Sequence, residues 1–298
     1  MLDNFANPLV DTQNWYVAAR SSSVRKGHIW SRAMLHRRIA LYRDAEGVAH
    51  AIDARCPHLG ADLGQGSVHG NEVQCAFHHW RFDAAGVCRN SPERCVRVYP
   101  VVERWGLVWL FNGPQPLFPL PSAADDGRYR VWLPRPRQIR AHPHLVVGNG
   151  LDTRHFATLH GMAFTAESKW YDDGGYRVTA EVEGRPKSRW LQRVTGTSNG
   201  RIAASFTTVG GNLAWAAVTS PVRFHALFTG QPGELGGCAT QVVLFLPGLV
   251  PLRAVLLLST LLRNDHQILD RLDFHPHYAA GDEPLRAMST LVNRMPVW

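Results

Sequence analysis

Two cysteines and two histidines in one glycine-rich stretch constrain this chain more than any other feature. In DARCPHLGADLGQGSVHGNEVQCAFHHWRFD, residues 53–83, Cys56, His58, Cys75 and His78 have the spacing C-x-H-x16-C-x2-H. Each of two short loops therefore presents one thiolate and one imidazole, which are ligands of zinc and of iron. The stretch predicts a metal centre held between two loops.

The distribution of the ligands between the loops separates two kinds of metal centre. A tetrahedral zinc site is the simpler alternative, because Cys2His2 is a common zinc ligand set. Zinc loops usually pair Cys with Cys and His with His, whereas a Rieske-type [2Fe–2S] cluster has two Cys on one iron and two His on the other. The mixed loops favour the cluster, and we expect Gly60, Gly64 and Gly66 to let the backbone pass close to it.

This stretch resembles the Rieske domain. CPHLGADLGQG and CAFHHWRFD are similar to its two cluster-binding loops, and the resemblance covers roughly residues 14–113. It implies a cluster bound by Cys56, His58, Cys75 and His78. His79 is a departure, because the family usually has Gly there. Rieske proteins of respiratory complexes add a disulfide between the loops; Ala61 and Phe77 occupy those places here, which disfavours that class.

The other cysteines and the charges narrow the class of protein. Five cysteines in 298 residues argue against a disulfide framework, and we expect Cys88, Cys95 and Cys238 to be free thiols. The net charge of +8 comes almost entirely from Arg, since only three Lys are present. Because RKGHIWSRAMLHRR and PRPRQIR are interleaved with apolar residues and Pro, we expect no nucleic-acid partner and interpret both as solvated surface or a docking face for an acidic protein.

The chain lacks the patterns of secretion and of membrane insertion. Its beginning, MLDNFANPLVDTQNWY, has no basic segment followed by an apolar run, so we expect no signal peptide and a cytoplasmic location. The longest apolar run, residues 249–262, is interrupted by Arg253 and is shorter than the roughly 18 residues of a transmembrane span. We interpret it as part of a buried helix and expect no transmembrane segment.

A second set of potential metal ligands lies in NGLDTRHFATLH, residues 149–160, which contains Asp152, His155 and His160. On a regular helix positions 155 and 160 are about 140° apart, so a small distortion is needed to direct both imidazoles at one ion. Two His and one carboxylate on one face of an iron leave the opposite positions open for O2 and substrate. Alone, a His-x4-His pair is more often an ordinary surface or packed pair.

Together with the Rieske loops, this motif extends the resemblance to nearly the whole chain. The pattern N-x2-D-x2-H-x4-H resembles the catalytic-domain motif of Rieske non-haem iron oxygenases of the alpha-subunit type. The resemblance implies His155 and His160 as ligands of a mononuclear Fe(II), Asn149 near the iron, and Asp152 as a bridging carboxylate. The compact catalytic domain is more similar to the monooxygenase, hydroxylase and demethylase branch than to the aromatic-ring dioxygenases.

The third iron ligand is expected in LLRNDHQILDRLDFHPH, residues 261–277. This segment contains Asp265, Asp270 and Asp273, and the resemblance favours Asp265 through NDHQILD, with Asp270 as the alternative. Five other histidines are expected to be solvated or capping residues rather than ligands: His142, His144, His266, His275 and His277.

The pattern of short runs predicts two domains and an α+β fold. Residues 1–113 form β-type runs that predict an all-β Rieske [2Fe–2S] domain, and the Pro- and Arg-rich residues 114–143 predict a connector. Residues 144–298 are the predicted mononuclear non-haem iron domain, with helices at 149–161 and 251–273. Its β-type runs lie at 176–182, 188–196, 201–209, 213–219, 222–229 and 238–246. The resemblance implies a helix-grip (START-like) arrangement of an antiparallel sheet and a long C-terminal helix.

The resemblance also implies partners and cofactors. Electrons from NAD(P)H reach such oxygenases through a flavin reductase, often with a ferredoxin, and the cluster and the Fe(II) hold one electron each for O2. A ring-shaped homotrimer is implied, in which Asp152 links His155 to His78 of the partner subunit. Arginines near the cluster are interpreted as a docking face for the acidic redox partner or as solvated residues: Arg81, Arg89, Arg94 and Arg97.

The sequence therefore predicts an oxidoreductase that acts as a Rieske monooxygenase or dioxygenase. We expect hydroxylation or oxidative demethylation of a hydrophobic small molecule, and the ten Trp favour a large or polycyclic one. Phe206, Trp215 and Phe228 either line its pocket or pack in the core. Two other classes remain open: a soluble Rieske electron-transfer protein with an unrelated appended domain, and a zinc-stabilised binding module.

Overall fold

The computed structural model describes residues 4–7, 10–121, 128–164, 168–187, 189, 192–193, 201–220, 223–232, 237–248, 252–273 and 275–298. The chain forms two compact units. The N-terminal unit comprises Asp11–Pro119 together with Pro296–Trp298, and the C-terminal unit comprises Met1–Val10 and Leu120–Met295. The first contains the predicted cluster loops, and the second contains the predicted iron ligands.

Three small antiparallel sheets form the N-terminal unit, in the orders β1-β10-β9, β2-β3-β4-β8 and β5-β6-β7. The strands are β1 Trp15–Arg20, β2 Trp30–Met34, β3 Arg37–Arg43, β4 Ala49–Asp53, β5 Ser67–His69, β6 Glu72–Gln74, β7 Arg81–Phe82, β8 Val98–Tyr99, β9 Val101–Arg104 and β10 Leu107–Phe111. This all-β architecture agrees with the short β-type runs of the sequence.

The two faces of β3 support two different parts of this unit. Successive side chains of a strand point to opposite faces. Leu41 packs in one core cluster with residues of β1 and β10, whereas Tyr42 packs in another that contains Cys56 and Cys75. The predicted cluster loops are therefore anchored on a buried sheet face by their cysteines.

The last three residues of the chain belong to the N-terminal unit. The Gln13 N–H donates to Pro296 O at 2.7 Å. The Trp298 ring lies 5.3 Å from the ring of Tyr99, and the Arg97 guanidinium lies 4.1 Å from the centre of the Trp298 ring. Arg97, one of the predicted docking arginines, is thus packed against the final residue.

One nine-stranded antiparallel sheet dominates the C-terminal unit, in the order β11-β19-β18-β17-β16-β15-β13, with β12 beside β19 and β14 beside β15. The strands are β11 Arg130–Trp132, β12 Arg137–Ile139, β13 Met162–Phe164, β14 Lys169–Asp172, β15 Arg177–Pro186, β16 Ile202–Val209, β17 Leu213–Ser220, β18 Phe224–Pro232 and β19 Cys238–Leu246. Consecutive strands from β15 to β19 are neighbours, so the predicted antiparallel meander is confirmed.

The helices of this unit that the structure describes from end to end are α1 Pro143–Gly148, α2 Thr153–Thr158, α3 Leu252–Leu269 and α4 Glu283–Arg294. α1 packs against β18, and α4 packs against β15, where Met288 and Val292 join a cluster with Val178. Within the described ranges, no helix combines the length and the apolar composition required to cross a bilayer. The long helix α3 beside an antiparallel sheet agrees with the predicted α+β class.

The predicted connector, residues 114–143, contributes β11 and β12 to the large sheet, and two predicted elements differ from the structure. The helix expected at 149–161 is a 3-10 turn, Asn149–Leu151, followed by the short α2, because Asp152 leaves the helical conformation and starts a new helix as its N-cap. The strand expected at 188–196 lies largely outside the described residues, and its described members, 189, 192 and 193, are helical.

Candidate metal centres and substrate cavity

Two loops of the N-terminal unit carry the four predicted cluster ligands. The first loop follows β4 and is closed by the Cys56 N–H, which donates to Ala61 O at 2.9 Å. The second joins β6 to β7 and is closed by the Cys75 N–H, which donates to Trp80 O at 2.8 Å. Backbone hydrogen bonds therefore hold both cysteines at matching places, at the start of their loops.

The four side chains form a buried pair and an exposed pair. Cys56 and Cys75 are only 2% and 1% exposed, whereas His58 and His78 are exposed, with their Nδ1 atoms 3.1 Å apart. Burial is the main cause of the raised pKa of the Cys56 thiol, and the neighbouring Cys75 raises it further. This arrangement fits a [2Fe–2S] cluster, because its two ligand types are separated, with sulfur inside and nitrogen at the surface.

A left-handed backbone conformation recurs after each pair of ligands. His79 has a φ of +57°, and its N–H donates to Cys75 O at 3.1 Å. Gly60 has the matching place in the first loop, with a φ of +82° and an N–H that donates to Cys56 O at 2.9 Å. Because a side chain is strained in this region, the usual Gly after the second histidine has a backbone reason.

Gly64 and Gly66 make room for protein atoms. A Cβ at Gly64 would lie 2.3 Å from the Cβ of Ser31, and a Cβ at Gly66 would lie 2.0 Å from Gln74 O. Both glycines are therefore explained by close packing within the unit, a different reason from the expected approach to a cluster.

We expect His79→Gly to stabilise the holoprotein and Gly60→Ala to destabilise it, each by about 1 kcal/mol, because left-handed backbone favours glycine. A Cβ at Gly60 would have only Arg55 Nε nearby, at 3.6 Å, so a clash does not contribute. Denaturant unfolding of the oxidised holoprotein measures both changes. If the two substitutions changed the free energy of unfolding in the same direction, side-chain contacts and not the backbone conformation would determine the effect.

The remaining cysteines differ in exposure. Cys88, Cys95 and Cys238 form no disulfide, as predicted. Cys88 and Cys238 are buried, and Cys95 is exposed. Burial raises the pKa of the Cys238 thiol to about 12, so this thiol stays protonated at pH 8.

Iodoacetamide at pH 8 is expected to alkylate Cys95 in the folded holoprotein and to leave Cys88 and Cys238 unmodified. The thiolate is the reactive form, and a buried thiol is not accessible to the reagent. Mass spectrometry of peptides after a timed reaction gives the modified fraction at each position. Guanidinium-unfolded protein serves as the control in which all three react, and rapid alkylation of folded Cys238 would contradict its burial.

Three of the predicted docking arginines already have partners in this unit. Arg81 lies 4.0 Å from Glu72, and Arg89 pairs with the same carboxylate. Arg97 packs against the C-terminal Trp, whereas Arg94 is exposed. The surface near the second loop is thus of mixed charge, with one glutamate shared by two arginines.

In the C-terminal unit the predicted iron ligands converge. His155, His160 and Asp265 each place one ligand atom within 4.8 Å of the other two. Asp265 Oδ1 lies 2.9 Å from His160 Nε2 and 3.7 Å from His155 Nε2. The His160 side chain is 1% exposed, and those of His155 and Asp265 are 11% and 16% exposed. Two histidines from the α2 region and a carboxylate from α3 therefore surround one point.

The end of α2 explains how both imidazoles reach that point. α2 ends at Thr158, so His160 lies on the turn that follows and is not bound to the helical spacing from His155. The distortion that the sequence predicted between positions 155 and 160 is thus the end of the helix. His155 Nδ1 contacts Asp152 O, which leaves His155 Nε2 directed at the ligand group.

Buried polar atoms without hydrogen bonds test whether this group fits a metal. Asp265 Oδ1 is buried and forms no hydrogen bond, although it lies only 2.9 Å from His160 Nε2. Such atoms are costly to bury unless they coordinate a metal or find another partner. Burial lowers the pKa of His155, which favours the neutral imidazole that binds metals. Two imidazoles and a carboxylate fit a mononuclear iron.

Asn149 and Asp152 lie beside this group. Asn149 Nδ2 is 3.4 Å from His155 Nε2. The Asp152 carboxylate accepts a hydrogen bond from the Arg154 N–H at 3.2 Å and caps α2. Within one chain, the backbone carbonyl of Asp152 contacts His155, whereas its carboxylate bonds to the helix end. The bridge to a partner subunit stays a prediction.

The other acidic candidates in the segment after α3 lie in different surroundings. Asp270 Oδ1 accepts a hydrogen bond from the Arg140 N–H at 3.0 Å. Asp273 is exposed and lies 3.4 Å from the exposed His275, and His277 is also exposed. Asp265 is thus the carboxylate that the fold brings to the two histidines.

Three further histidines are more buried than the sequence predicted. His142 caps α1 by accepting a hydrogen bond from the His144 N–H, which agrees with a capping role, but both residues are buried. His266 lines a cavity, and its Nδ1 is buried without a hydrogen bond. His142 is therefore a capping residue, as one predicted alternative had it, whereas solvation was the wrong expectation for the buried His144, and His266 is half-buried.

An apolar cavity of about 270 Å³ adjoins the iron-ligand group. It exists because inward positions of β17 and β18 are occupied by alanines, which leave space between the sheet and α3. These are Ala214, Ala216 and Ala226. Phe206 and Phe228 line the cavity, as one predicted alternative had it, whereas Trp215 packs against Phe245 with ring centres 5.1 Å apart.

Three titratable residues line the cavity although the sequence did not predict them there: Arg135, Arg137 and His266. The two arginines belong to PRPRQIR, which was interpreted as solvated or docking surface. Side chains two residues apart on an extended segment point to the same face. Arg135 and Arg137 therefore share a face with the buried Ile139, and this alternation could have predicted that they line the cavity.

Comparison with known proteins identifies the family to which the chain belongs. A model of the Rieske [2Fe-2S] domain matches residues 14–100. The oxygenase component of dicamba O-demethylase from Stenotrophomonas maltophilia is 33% identical over 243 residues, covering 74% of this chain and 69% of that protein. The 4β-methylsterol monooxygenase of Methylococcus capsulatus is 34% identical over 157 residues, covering 47% of this chain and 42% of that protein.

Solved structures show the same fold. The crystal structure of dicamba monooxygenase bound to dicamba matches 96% of this chain and 97% of its own chain, with a TM-score of 0.70 at 21% identity. The chain spans about half the length, or less, of several curated relatives, the methylsterol monooxygenase among them. The predicted α+β fold class is confirmed.

The match over residues 14–100 shows that the chain contains a Rieske [2Fe-2S] domain. Its similarity to more than two thirds of the demethylase component shows more: the chain belongs to the Rieske non-haem iron oxygenases, in the monooxygenase and demethylase branch. The cofactors of this family, a Rieske [2Fe–2S] cluster and a mononuclear non-haem iron, are therefore its cofactors.

Proposed function

We propose that the protein is a Rieske-type monooxygenase that oxidises a C–H bond of a hydrophobic small molecule. The observation that carries the proposal is the group of two imidazoles and one carboxylate that adjoins an apolar cavity, in a chain with a Rieske domain. The balanced reaction takes RH, O2, two electrons and two protons to ROH and water. Where the carbon is an O- or N-methyl group, the hydroxylated product loses formaldehyde, which is oxidative demethylation.

The proposed ligands follow from the two donor sets. Cys56 and Cys75 with His58 and His78 hold the cluster. The mononuclear iron is held by His155, His160 and Asp265. Once bound, the two metal centres supply the two electrons and the open coordination positions at which O2 reacts.

The protein residues around the iron ligands orient them and exclude water. The Asp152 carbonyl holds His155 Nδ1, so its Nε2 faces the ligand group. The ring of Phe156 lies 5.7 Å from that of His160 and stacks on Phe206 at 5.0 Å. This aromatic layer keeps the ligand side of the cavity apolar, where a hydrocarbon group is favoured over water.

The volume of the cavity limits the substrate. At about 270 Å³ it lies just below the ordinary range for ligand pockets, about 300–1,000 Å³. We propose an apolar substrate with one or two rings, smaller than the polycyclic molecule that the abundance of Trp favoured. The relative that acts on dicamba and the relative that acts on a methylsterol differ widely in substrate size, so the cavity is the better guide.

Electrons are proposed to come from NAD(P)H through a reductase, with or without a ferredoxin, because relatives are oxygenase components and iron-sulfur subunits of multicomponent systems. We propose that the chain works in the cytoplasm as a homotrimer, in which Asp152 links His155 to His78 of the partner subunit. The exposed Arg94 beside the cluster loops is the proposed contact for an acidic redox partner.

Metal and sulfide analysis of anaerobically purified protein tests the proposal. We expect about three Fe and two sulfides per chain, with a low-average-g EPR signal after dithionite reduction. About two Fe with the same signal would identify an electron carrier instead. Zinc without sulfide would identify a structural metal module and overturn the proposal.

A further inference from the structure

The indole ring of Trp80 lies flat against the imidazole of His58. The two ring centres are 4.4 Å apart, and their planes differ by 9°. Trp80 belongs to the second cluster loop and His58 to the first, so the stack joins the two loops. Stacked aromatic rings stabilise a structure by more than the apolar area that they bury.

The position of the indole is fixed by its own loop and by the core. The Trp80 carbonyl accepts a hydrogen bond from the Cys75 N–H at 2.8 Å, and the next residue, Arg81, begins β7 and pairs with Gln74 of β6. The half-buried ring also packs against the core cluster that contains both ligand cysteines. Trp80 is therefore held at its main chain and at its ring, and the ring can in turn hold the exposed His58.

The other ligand histidine has a different aromatic neighbour. The Phe77 ring centre lies 3.8 Å from that of His78, and the two planes differ by 41°. Phe77 directly precedes His78 in the second loop and is 61% exposed. Because this contact lies within one loop and faces solvent, it does not join the loops.

The two ends of the metal site are joined in different ways. At the buried end, Cys56 and Cys75 share one core cluster, so packing holds the loops together. At the exposed end, no disulfide joins the loops within residues 53–83, all of which the structure describes. His58 and His78 contact each other there, but both are proposed iron ligands. The Trp80 stack thus joins the loops at the exposed end through a residue that is not a ligand.

We propose that Trp80 is a positioning residue for the Rieske cluster, whose indole holds the His58 imidazole and keeps the exposed end of the site closed. The inference rests on the proposed role of His58 as a ligand and adds to it a residue that contacts this ligand. Without the indole, the exposed imidazole can turn about its side-chain bonds, and water can reach the ligand. Two measurable properties of the cluster depend on this contact, namely its rate of loss and its reduction potential.

The reduction potential responds because reduction adds a negative charge to the cluster. The face of an aromatic ring is itself negative, so an indole against a ligand ring disfavours the added charge. Exclusion of water has the same effect, because water stabilises the more highly charged form and solvent exposure is one of the factors that set the potential of a cluster. Loss of the indole should therefore raise the potential, which loss of packing elsewhere in the unit should not do.

Two variants without an aromatic ring, Trp80→Leu and Trp80→Met, test the inference in the holoprotein. With an iron chelator present, we expect the absorbance of the oxidised cluster to decay about tenfold faster than in the wild type. In a redox titration followed by EPR, the ratio of reduced to oxidised cluster at a given potential should rise about threefold, which corresponds to a shift of about 30 mV. Trp80→Phe keeps a ring and should restore most of both properties.

Two further variants separate the stack from other contacts. Phe77→Leu removes the ring beside His78 and leaves the contact between the loops in place, so its cluster should be lost at a rate within about twofold of the wild type. Val73→Ala removes apolar volume from the buried core cluster that contains the ligand cysteines, and should destabilise the protein without changing the potential. Denaturant unfolding of each oxidised holoprotein measures the destabilisation.

Three results would overturn the inference. One is a rate of cluster loss or a potential that stays at the wild-type value in both Trp80→Leu and Trp80→Met. The second is a Trp80→Phe protein that loses its cluster as fast as these two, and the third is a potential in Val73→Ala that rises as much as theirs. If neither variant without a ring assembles a cluster while Trp80→Phe and Val73→Ala do, this is the expected loss in its largest form. Failure of the proposed ligands has a different signature, namely a wild-type protein without sulfide and without the Rieske EPR signal.

Discussion

Asp265→Ala is expected to remove the mononuclear iron and to abolish oxygenation while the EPR signal of the cluster persists. Asp265 Oδ1 lies within 4 Å of both histidine Nε2 atoms and has no hydrogen bond. Two neutral imidazoles alone offer neither the third ligand nor the negative charge that a divalent iron requires. Iron content should fall from about three to about two per chain, and kcat/KM by at least about 100-fold.

Asp270→Ala is the matched control, because Asp270 lies on the same segment and was the alternative ligand. Its carboxylate accepts one hydrogen bond, from the Arg140 N–H, whose loss should cost about 1 kcal/mol of unfolding free energy. Iron content and turnover should stay near the wild-type values. If Asp270→Ala lost the mononuclear iron and Asp265→Ala retained it, Asp270 and not Asp265 would be the iron ligand.

The cluster loops were predictable from sequence because the ligands of each loop are only a few residues apart. The spacing from Cys56 to His58 and from Cys75 to His78 lies within single turns of chain, and the structure shows each loop closed by its own cysteine N–H. The separation into buried sulfur and exposed nitrogen was not predictable. It depends on how β3 packs against both loops, which is a tertiary contact.

The iron-ligand group was only partly accessible from sequence. The spacing of His155 and His160 predicted that a regular helix needs a distortion, but not that the helix ends at Thr158. Choosing Asp265 over Asp270 depended on the resemblance, because both carboxylates lie near the end of the same helix. Only the folded chain shows that Asp265 turns to the histidines and Asp270 to the backbone of β12 and its extension.

Charged residues were the least predictable part of the molecule. Arg137 and Arg97 look alike in sequence, as single arginines among apolar and polar neighbours. In the structure one lines the cavity and the other packs against Trp298 at the far end of the chain. Such placements arise from pairings between distant strands and from the C-terminal residues, so local composition suggested solvated surface for both.

Cys75→Ser is expected to remove the [2Fe–2S] cluster and to leave the mononuclear iron in place, the reverse of the Asp265→Ala result. The thiolate is the ligand that iron–sulfur clusters require, and a serine hydroxyl ionises far less readily. Iron should fall from about three to about one per chain, with loss of sulfide, visible absorbance and the EPR signal. Turnover should fall to background, since the cluster stores one of the two electrons.

Buried and exposed thiols provide the controls that separate ligation from packing. Cys88→Ser places a hydroxyl at a buried position in the same core cluster as Cys75, so it should cost about 1–3 kcal/mol of stability but retain cluster and sulfide. Cys95→Ser, at an exposed position, should change neither. If Cys88→Ser also lost the cluster, disruption of the core would suffice to explain Cys75→Ser. Retention in Cys88→Ser with loss in Cys75→Ser can come only from the removed sulfur ligand.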